Sequence, residues 1–237
     1  MVSGQGQGHG HEYTTDRSKP VGSHERGAAV TAWLCDRPSS RAIKSTDSER
    51  NMTDFTIHAV EEATPGARQG LSKAKEQFGF VPNLLGIMAE APSVLDAYLM
   101  LAERFASSSL SPLEQQVVLV TAAVHNRCDY CVAAHSWGAQ AAGADAATLA
   151  SLRAAQPVQD ARLAALQLFT RAVVDKRGFA TKEDVDAFRA AGFSRANVLE
   201  VVLGVTQKTL SNYVNHMAET PLDPQLAGFK WEPNGVL

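Results

Sequence analysis

The sequence predicts an all-α fold, and three observations favour it. After residue 52, apolar residues recur at helical spacing along most segments, as they do between Val94 and Phe105. Capping residues and prolines precede these segments, and glycines follow several of them. Strand patterns are almost absent, although residues 55–57 suggest a short extended piece. We therefore expect residues 52–237 to form one domain, a multi-helix bundle of packed antiparallel helices.

The ends of the predicted helices follow from their capping residues. The predicted starts are Thr64-Pro65, Pro82, Pro92, Ser111-Pro112, Asn126, Asp145, Asp160, Thr181 and Ser194. The predicted ends are Gly79, Gly143, Pro157, Gly178 and Gly192, with the last helix running to about Met217. Ser111 and Glu114 have the spacing of a capping box. The proline-rich C-terminal segment is expected to be irregular.

Residues 1–51 differ in composition from the rest of the chain. They are rich in Gly, Ser, Arg and Thr and have no sustained apolar period, which predicts a disordered N-terminal extension. Met52 opens a plausible native start, so the preceding segment is either a genuine tail or a mis-assigned beginning, and both interpretations stay open. Cys35 lies in this segment, and we expect no specific role for it.

Composition excludes several classes of function. The net charge of −3 predicts no general affinity for nucleic acid or for anionic membranes. The sequence contains no run of about 18 apolar residues, so it predicts no transmembrane helix. The first residues lack the basic and apolar regions of a secretory signal. We therefore expect a cytoplasmic protein.

The residues that carry chemistry are Cys128, Cys131 and His135. On a helix, the two cysteines are i, i+3 neighbours, and Cys131 and His135 are i, i+4 neighbours, so all three share one face. That spacing lets the sulfurs form a disulfide and lets an imidazole nitrogen approach one of them. With Asn126 as the N-cap, Cys128 would lie in the first turn, where backbone N–H groups and the helix dipole favour a thiolate.

A thiolate beside a base can attack an electrophilic oxygen or sulfur, and the resulting sulfenic acid can condense with the second cysteine. Redox chemistry is therefore the leading hypothesis for this motif. Metal binding is weaker because a structural zinc site needs four ligands and the chain has no second Cys-x-x-Cys, although His125 or His216 could complete a site. A third interpretation is that the motif only fills the core.

The motif and its flanks resemble the carboxymuconolactone decarboxylase superfamily, specifically its alkylhydroperoxidase D (AhpD)-like branch. Residues 110–136 carry the resemblance, with further similarity at residues 78–85, 169–174 and 209–216. The resemblance implies an all-helical homo-oligomer that reduces hydroperoxides. It also implies that a dithiol donor, such as a thioredoxin-like or lipoyl protein, supplies the electrons. We expect neither a cofactor nor a metal.

By the same resemblance, Cys131 is the attacking thiol, Cys128 is the proton donor and resolving partner, and His135 belongs to a proton relay. The family pattern places a Glu twelve residues before the first cysteine, where this chain has Gln116, which cannot take up a proton at neutral pH. Glu114 lies on another face of the same helix and is expected to act only as a cap. Residues considered for the relay or pocket are Gln116, His125, Tyr130, His216 and Asn212.

Two other functions stay open at the level of sequence. The first is a lactone-acid decarboxylase like the founding members of the superfamily, which do not depend on a cysteine pair. The second is a non-catalytic redox-sensing oligomer, in which slow oxidation alters partner binding.

Overall fold

The computed structural model describes residues 54–233. The predicted extension, with Cys35 and the alternative start at Met52, lies outside the described residues. Within them the chain forms nine α-helices, one short 3-10 helix and no strand, so the predicted all-α class is confirmed. The helices are α1 Pro65–Phe78, α2 Asn83–Met88, α3 Pro92–Ala106, α4 Pro112–His125, α5 Asp129–Ala141, α6 Ala146–Arg153, α7 Ala161–Asp175, α8 Lys182–Ala190, α9 Arg195–Ala218 and the 3-10 helix Pro224–Phe229.

Side-chain caps begin most of these helices at the predicted positions. The capping box of α4 is complete: the Ser111 hydroxyl accepts from the Glu114 N–H, and the Glu114 carboxylate accepts from the Ser111 N–H. Side chains also cap the four helices from α6 to α9 at the predicted residues, which are Asp145, Asp160, Thr181 and Ser194. Residues 55–57 form no strand, and the 3-10 helix lies in the segment expected to be irregular.

One predicted boundary is wrong, and it matters for the site. Asn126 ends α4 as its C-cap, and Cys128 is the N-cap of α5. The difference arises at Arg127, whose positive φ of 57° turns the chain sharply between the two helices. The backbone N–H of Cys128 then donates to the carbonyl of Ala123, which closes the turn. Cys131, rather than Cys128, therefore occupies the first turn of α5.

Helix α4 lies at the centre of the bundle, where it packs against α5, α6, α7 and α9. Its buried residues are mostly apolar: Val117, Val118, Leu119, Val120, Ala122, Ala123 and Val124. Burying each valine side chain contributes about 1.5–3 kcal/mol. This apolar surface fixes the positions of the helices packed against it, including α5 and α9, which carry the site.

Helix α9 crosses α3 and α4 at close range because residue 204 is glycine. A Cβ atom at Gly204 would lie 2.7 Å from the ring of Phe105 and 2.9 Å from the side chain of Val118. The absence of a side chain lets the backbone of α9 approach its neighbours. This contact places the next turns of α9 over the start of α5.

Tyr130, one of the two residues between the cysteines, ties α5 to the C-terminal segment. The Tyr130 hydroxyl donates to Asp223 Oδ2 at 2.5 Å, and the backbone N–H of Asn83 donates to Asp223 Oδ1 at 3.0 Å. Both Tyr130 and Asp223 are buried. The carboxylate therefore links the first turn of α5 to the start of α2, which holds that turn in position. Within residues 54–233, no helix has the length and apolar character that crossing a lipid bilayer requires.

Candidate active site

The two cysteines lie at the junction of α4 and α5. Both are free thiols, with exposed fractions of 0% for Cys128 and 1% for Cys131. Cys131 lies in the first turn of α5, so the unpaired N–H groups and the dipole of that helix favour negative charge on its sulfur. Both sulfurs are enclosed, so an oxidant reaches them only when neighbouring side chains move.

The groups that cover the sulfurs come from α9 and are polar. Asn215 Nδ2 donates to Cys131 Sγ at 3.2 Å and lies 3.6 Å from Cys128 Sγ. Lys208 Nζ lies 3.9 Å from Cys131 Sγ, and Ser211 Oγ lies 3.7 Å from the same sulfur. Lys208 and Ser211 each have an exposed fraction of 0%. The cysteine pair belongs to the hydrophobic core, but on the side of α9 it faces hydrogen-bonding groups and one cation.

These surroundings separate the two thiols in acidity. Burial opposes ionisation of Cys131, but a hydrogen bond from Cys128, the charge of Lys208 and contacts from Ser211 and Asn212 lower its pKa to about 5. The hydrogen bond to Cys131, together with burial, raises the pKa of Cys128 above its ordinary value. At neutral pH the pair is therefore a thiolate at Cys131 and a thiol at Cys128.

Lys208 and Cys131 form a buried ion pair. Burial acts to lower the pKa of the Lys208 ammonium, but the Cys131 thiolate, with Tyr98 and Cys128, raises it above its ordinary value. Each charge is thus stabilised by the other, since neither side chain is exposed to water.

His135 connects this ion pair to the edge of the site. Lys208 Nζ lies 2.5 Å from His135 Nε2, and Gln116 Oε1 lies 3.1 Å from His135 Nδ1. Because an ammonium group only donates, Nε2 accepts and Nδ1 carries the hydrogen that is donated to Gln116. Burial and the charge of Lys208 hold the pKa of His135 well below its usual range, so the imidazole is neutral. His135 and Gln116 are only partly buried, and they form the outer edge of the site.

The structure brings together some of the predicted site residues and separates others. Cys128, Cys131, His135 and Gln116 form one group, to which α9 adds Asn212. The side chains of three other predicted residues do not join this group. His125 Nδ1 lies 3.1 Å from Asp175 Oδ1, and the Tyr130 hydroxyl donates to Asp223. His216 is exposed to solvent. Burial lowers the pKa of His125 despite its acidic partner. Glu114 pairs with Arg162, Oε1 to Nε at 2.7 Å, in addition to capping α4.

Nothing in the described part of the chain is arranged as a metal centre. Residues 54–233 contain no group of three or more His, Cys, Asp or Glu side chains placed to hold a metal ion. Lys208 Nζ lies 3.9 Å from Cys131 Sγ, and its positive charge opposes the approach of a metal ion.

Sequence reasoning named Asn212 and His216 on α9 but missed Lys208, Ser211 and Asn215, although the pattern is present in the sequence. The buried polar residues of this helix recur three or four positions apart: Gln207, Lys208, Ser211, Asn212 and Asn215. Large apolar residues lie on its exposed side: Leu199, Val202, Tyr213 and Met217. A polar stripe of this kind ordinarily indicates a solvent-facing surface, and here it faces the core.

Comparisons with known proteins agree with this fold. A sequence model of the carboxymuconolactone decarboxylase family matches residues 92–171, a segment that includes the cysteine motif. The resemblance predicted from the sequence is therefore confirmed. None of the curated protein sequences compared with the chain gives a match.

Three similar solved structures share the fold. The alkylhydroperoxidase AhpD core of an uncharacterized peroxidase-related protein from Ralstonia eutropha JMP134 has 18% identity and a TM-score of 0.66, with 73% of this chain and 93% of that chain covered. A peroxidase-related protein from Silicibacter sp. TM1040 has 21% identity and a TM-score of 0.63, with coverage of 74% and 96%. The debrominase Bmp8 in complex with 2,3,4-tribromopyrrole has 16% identity and a TM-score of 0.63, with coverage of 75% and 95%.

Proposed function

We propose that this chain is a thiol-dependent oxidoreductase that reduces hydroperoxides through Cys131 and Cys128. The observation that carries the proposal is the asymmetry of the pair. Lys208 Nζ lies 3.9 Å from Cys131 Sγ and Asn215 donates to that sulfur, and the pKa of Cys131 is lowered to about 5, whereas the pKa of Cys128 is raised. A nucleophile and a resolving thiol are thereby prepared in one turn of helix.

The proposed reaction has two steps. The Cys131 thiolate attacks the terminal oxygen of a hydroperoxide, so an S–O bond forms, the O–O bond breaks, and the sulfur is oxidised to a sulfenic acid. The departing alkoxide takes up one proton from an acid of the site and leaves as an alcohol. The Cys128 sulfur then attacks the Cys131 sulfur. A disulfide forms, and the hydroxyl group leaves as water with the proton of the Cys128 thiol.

Return to the dithiol requires an external reductant. A dithiol donor, such as a thioredoxin-like or lipoyl protein, supplies two electrons by exchange with the disulfide, and a reducing cytoplasm is the compartment that suits this cycle. We also propose a homo-oligomer. The exposed apolar face of α9, which includes Val202, Tyr213 and Met217, supports it, because such faces on soluble proteins commonly mark contacts between subunits.

Reductive dehalogenation is a second candidate, since one structure with this fold is a debrominase bound to a brominated pyrrole. The same dithiol can supply the two electrons. A C–Br bond is replaced by C–H, bromide leaves, and the pair becomes a disulfide. Either a hydroperoxide or a brominated pyrrole could oxidise this dithiol, so the test includes both compounds.

A single-turnover experiment tests the proposal. Reduced protein is mixed with cumene hydroperoxide or a tribromopyrrole, and mass spectrometry follows the linkage of Cys128 to Cys131. We expect hydroperoxide to close the pair far faster than it oxidises a small dithiol. Cys131→Ser should abolish the reaction, and Cys128→Ser should leave a sulfenic acid at residue 131. Cys35→Ser is the matched control and should react like the unmodified chain.

Three outcomes would contradict the proposal. Hydroperoxide consumption no faster than with a small dithiol would remove the peroxidase activity, and faster closure with the bromopyrrole would favour the second candidate. Retained activity on a lactone acid in Cys131→Ser would instead revive the decarboxylase hypothesis.

A further inference from the structure

Reduction of an alkyl hydroperoxide needs an acid as well as a nucleophile. The departing oxygen would otherwise leave as an alkoxide, which is a strong base and a poor leaving group. Gln116 lies at the far side of His135, 3.1 Å from its Nδ1, but an amide neither gives nor takes a proton at neutral pH. The acid therefore has to be sought among the other groups around Cys131.

The contacts of the site leave one group for this task. His135 is neutral, its Nε2 accepts from Lys208, and its Nδ1 hydrogen points to Gln116. Glu114 is engaged with its own helix cap and with Arg162. The proton of Cys128 is needed later, when the hydroxyl group of the sulfenic acid leaves as water. Lys208 carries a positive charge and transferable protons 3.9 Å from the reacting sulfur.

We propose that Lys208 is the acid of the reaction, giving a proton to the oxygen that departs when Cys131 attacks a hydroperoxide. The inference rests on the proposed function. In the balanced step, the thiolate, the hydroperoxide and the Lys208 ammonium become a sulfenic acid, an alcohol and a neutral Lys208 amine. Solvent returns the proton to Lys208 before the next turnover.

Burial supplies the driving force for this transfer. The groups that face Lys208 are Cys128 at the N-cap of α5, Cys131 and His135 within α5, and Tyr98 from α3. Among them the thiolate is the main group that stabilises the ammonium against burial. When the sulfur bonds to oxygen, its negative charge disappears and a negative charge grows on the departing oxygen. The buried cation then loses its partner at the moment when a base forms beside it, and both changes favour proton transfer.

The test compares two oxidants that differ in their need for an acid. tert-Butyl hydroperoxide releases an alkoxide, whereas peracetic acid releases a carboxylate of pKa about 4 to 5, which needs no proton. The rate of loss of the Cys131 thiol is measured for both oxidants at one pH in Lys208→Met. The ratio of the two rates cancels the change in thiolate fraction, because both oxidants react with the same thiolate.

We expect the ratio of the peracetic acid rate to the alkyl hydroperoxide rate to rise about 100-fold in Lys208→Met. Lys208→Gln serves as a second neutral variant should Lys208→Met fold poorly, as judged by circular dichroism. Lys182→Met, an exposed lysine far from the cysteines in sequence, is the matched control and should leave the ratio unchanged.

The outcomes separate this inference from the function on which it rests. An unmodified chain that reacts with both oxidants, together with an unchanged ratio in both Lys208 variants, would overturn the acid role of Lys208 and leave the peroxidase proposal standing. An unmodified chain that reacts with neither oxidant faster than a small dithiol would overturn both.

Discussion

Helices α4 and α9 pack against each other, yet they bury opposite kinds of surface. The buried residues of α4 are mainly valine, leucine and alanine, whereas those of α9 include Gln207, Lys208, Ser211, Asn212 and Asn215. Four large apolar residues of α9 are instead exposed: Leu199, Val202, Tyr213 and Met217. Two neighbouring helices in one core therefore have different physical tasks.

The buried surface of α9 lowers the stability of the fold relative to an apolar surface, but it provides the polar groups around Cys131. Burying an ammonium group and several amides costs free energy that valine side chains would not cost. On α4 the buried surface contributes to packing. On α9 it surrounds Cys131 with donors, and those donors keep a thiolate inside the protein. We therefore expect substitutions on the two helices to separate stability from reactivity.

The largest expected effect is on the ionisation of Cys131 in Lys208→Met. Removing the cation leaves the thiolate buried without its partner, so the midpoint of its pH titration should rise from about 5 to above ~8.5, the value of a free thiol. In the unmodified chain, reactivity should be full above the midpoint and should fall as the pH drops through about 5. Ultraviolet absorbance of the thiolate measures both titrations.

The same variant should keep most of its stability at neutral pH, because Cys131 takes up a proton when its cationic partner is removed, so that no unpaired charge stays buried. Thermal unfolding checks this point. An unchanged titration midpoint, or a large loss of stability, would show that Lys208 holds the fold rather than the charge.

The next effect concerns the contact between the two helices. In Gly204→Ala, the new methyl group would meet the ring of Phe105 at 2.7 Å, so the free energy of unfolding should fall by about 1–3 kcal/mol. Urea denaturation measures the change. Gly228→Ala is the control, since nothing lies within 4 Å of its added Cβ. Equal stability of the two variants would mean that α9 does not depend on this close approach.

The smallest effect is expected from Asn215→Ala. Its amide donates to Cys131 Sγ at 3.2 Å, and the loss of one hydrogen bond to a charged sulfur should raise the titration midpoint of Cys131 by roughly one pH unit. His216→Ala changes the next residue, which is exposed, and should leave the midpoint unaltered. A shift in His216→Ala as large as that in Asn215→Ala would remove the distinction between the two sides of α9.

Local interactions explain why much of this fold was predictable. Ser111 with Glu114, and the caps at Asp145 and Thr181, satisfy backbone groups within a few residues of themselves, so their sequence pattern is sufficient to place a helix start. The shared face of Cys131 and His135 follows from helical spacing in the same way. The start of α5 was not predictable, because it depends on the positive φ of Arg127.

The sequence by itself determined the helices, most of their caps and the shared helical face of Cys131 and His135. Only the tertiary structure decided that Lys208, 77 residues from Cys131 along the chain, would lie against that sulfur, and that the polar side of α9 would point inward. The physical reason is one of range. Helix spacing and capping act over one or two turns, whereas the sign and burial of the charge near a sulfur depend on which distant surface packs against it.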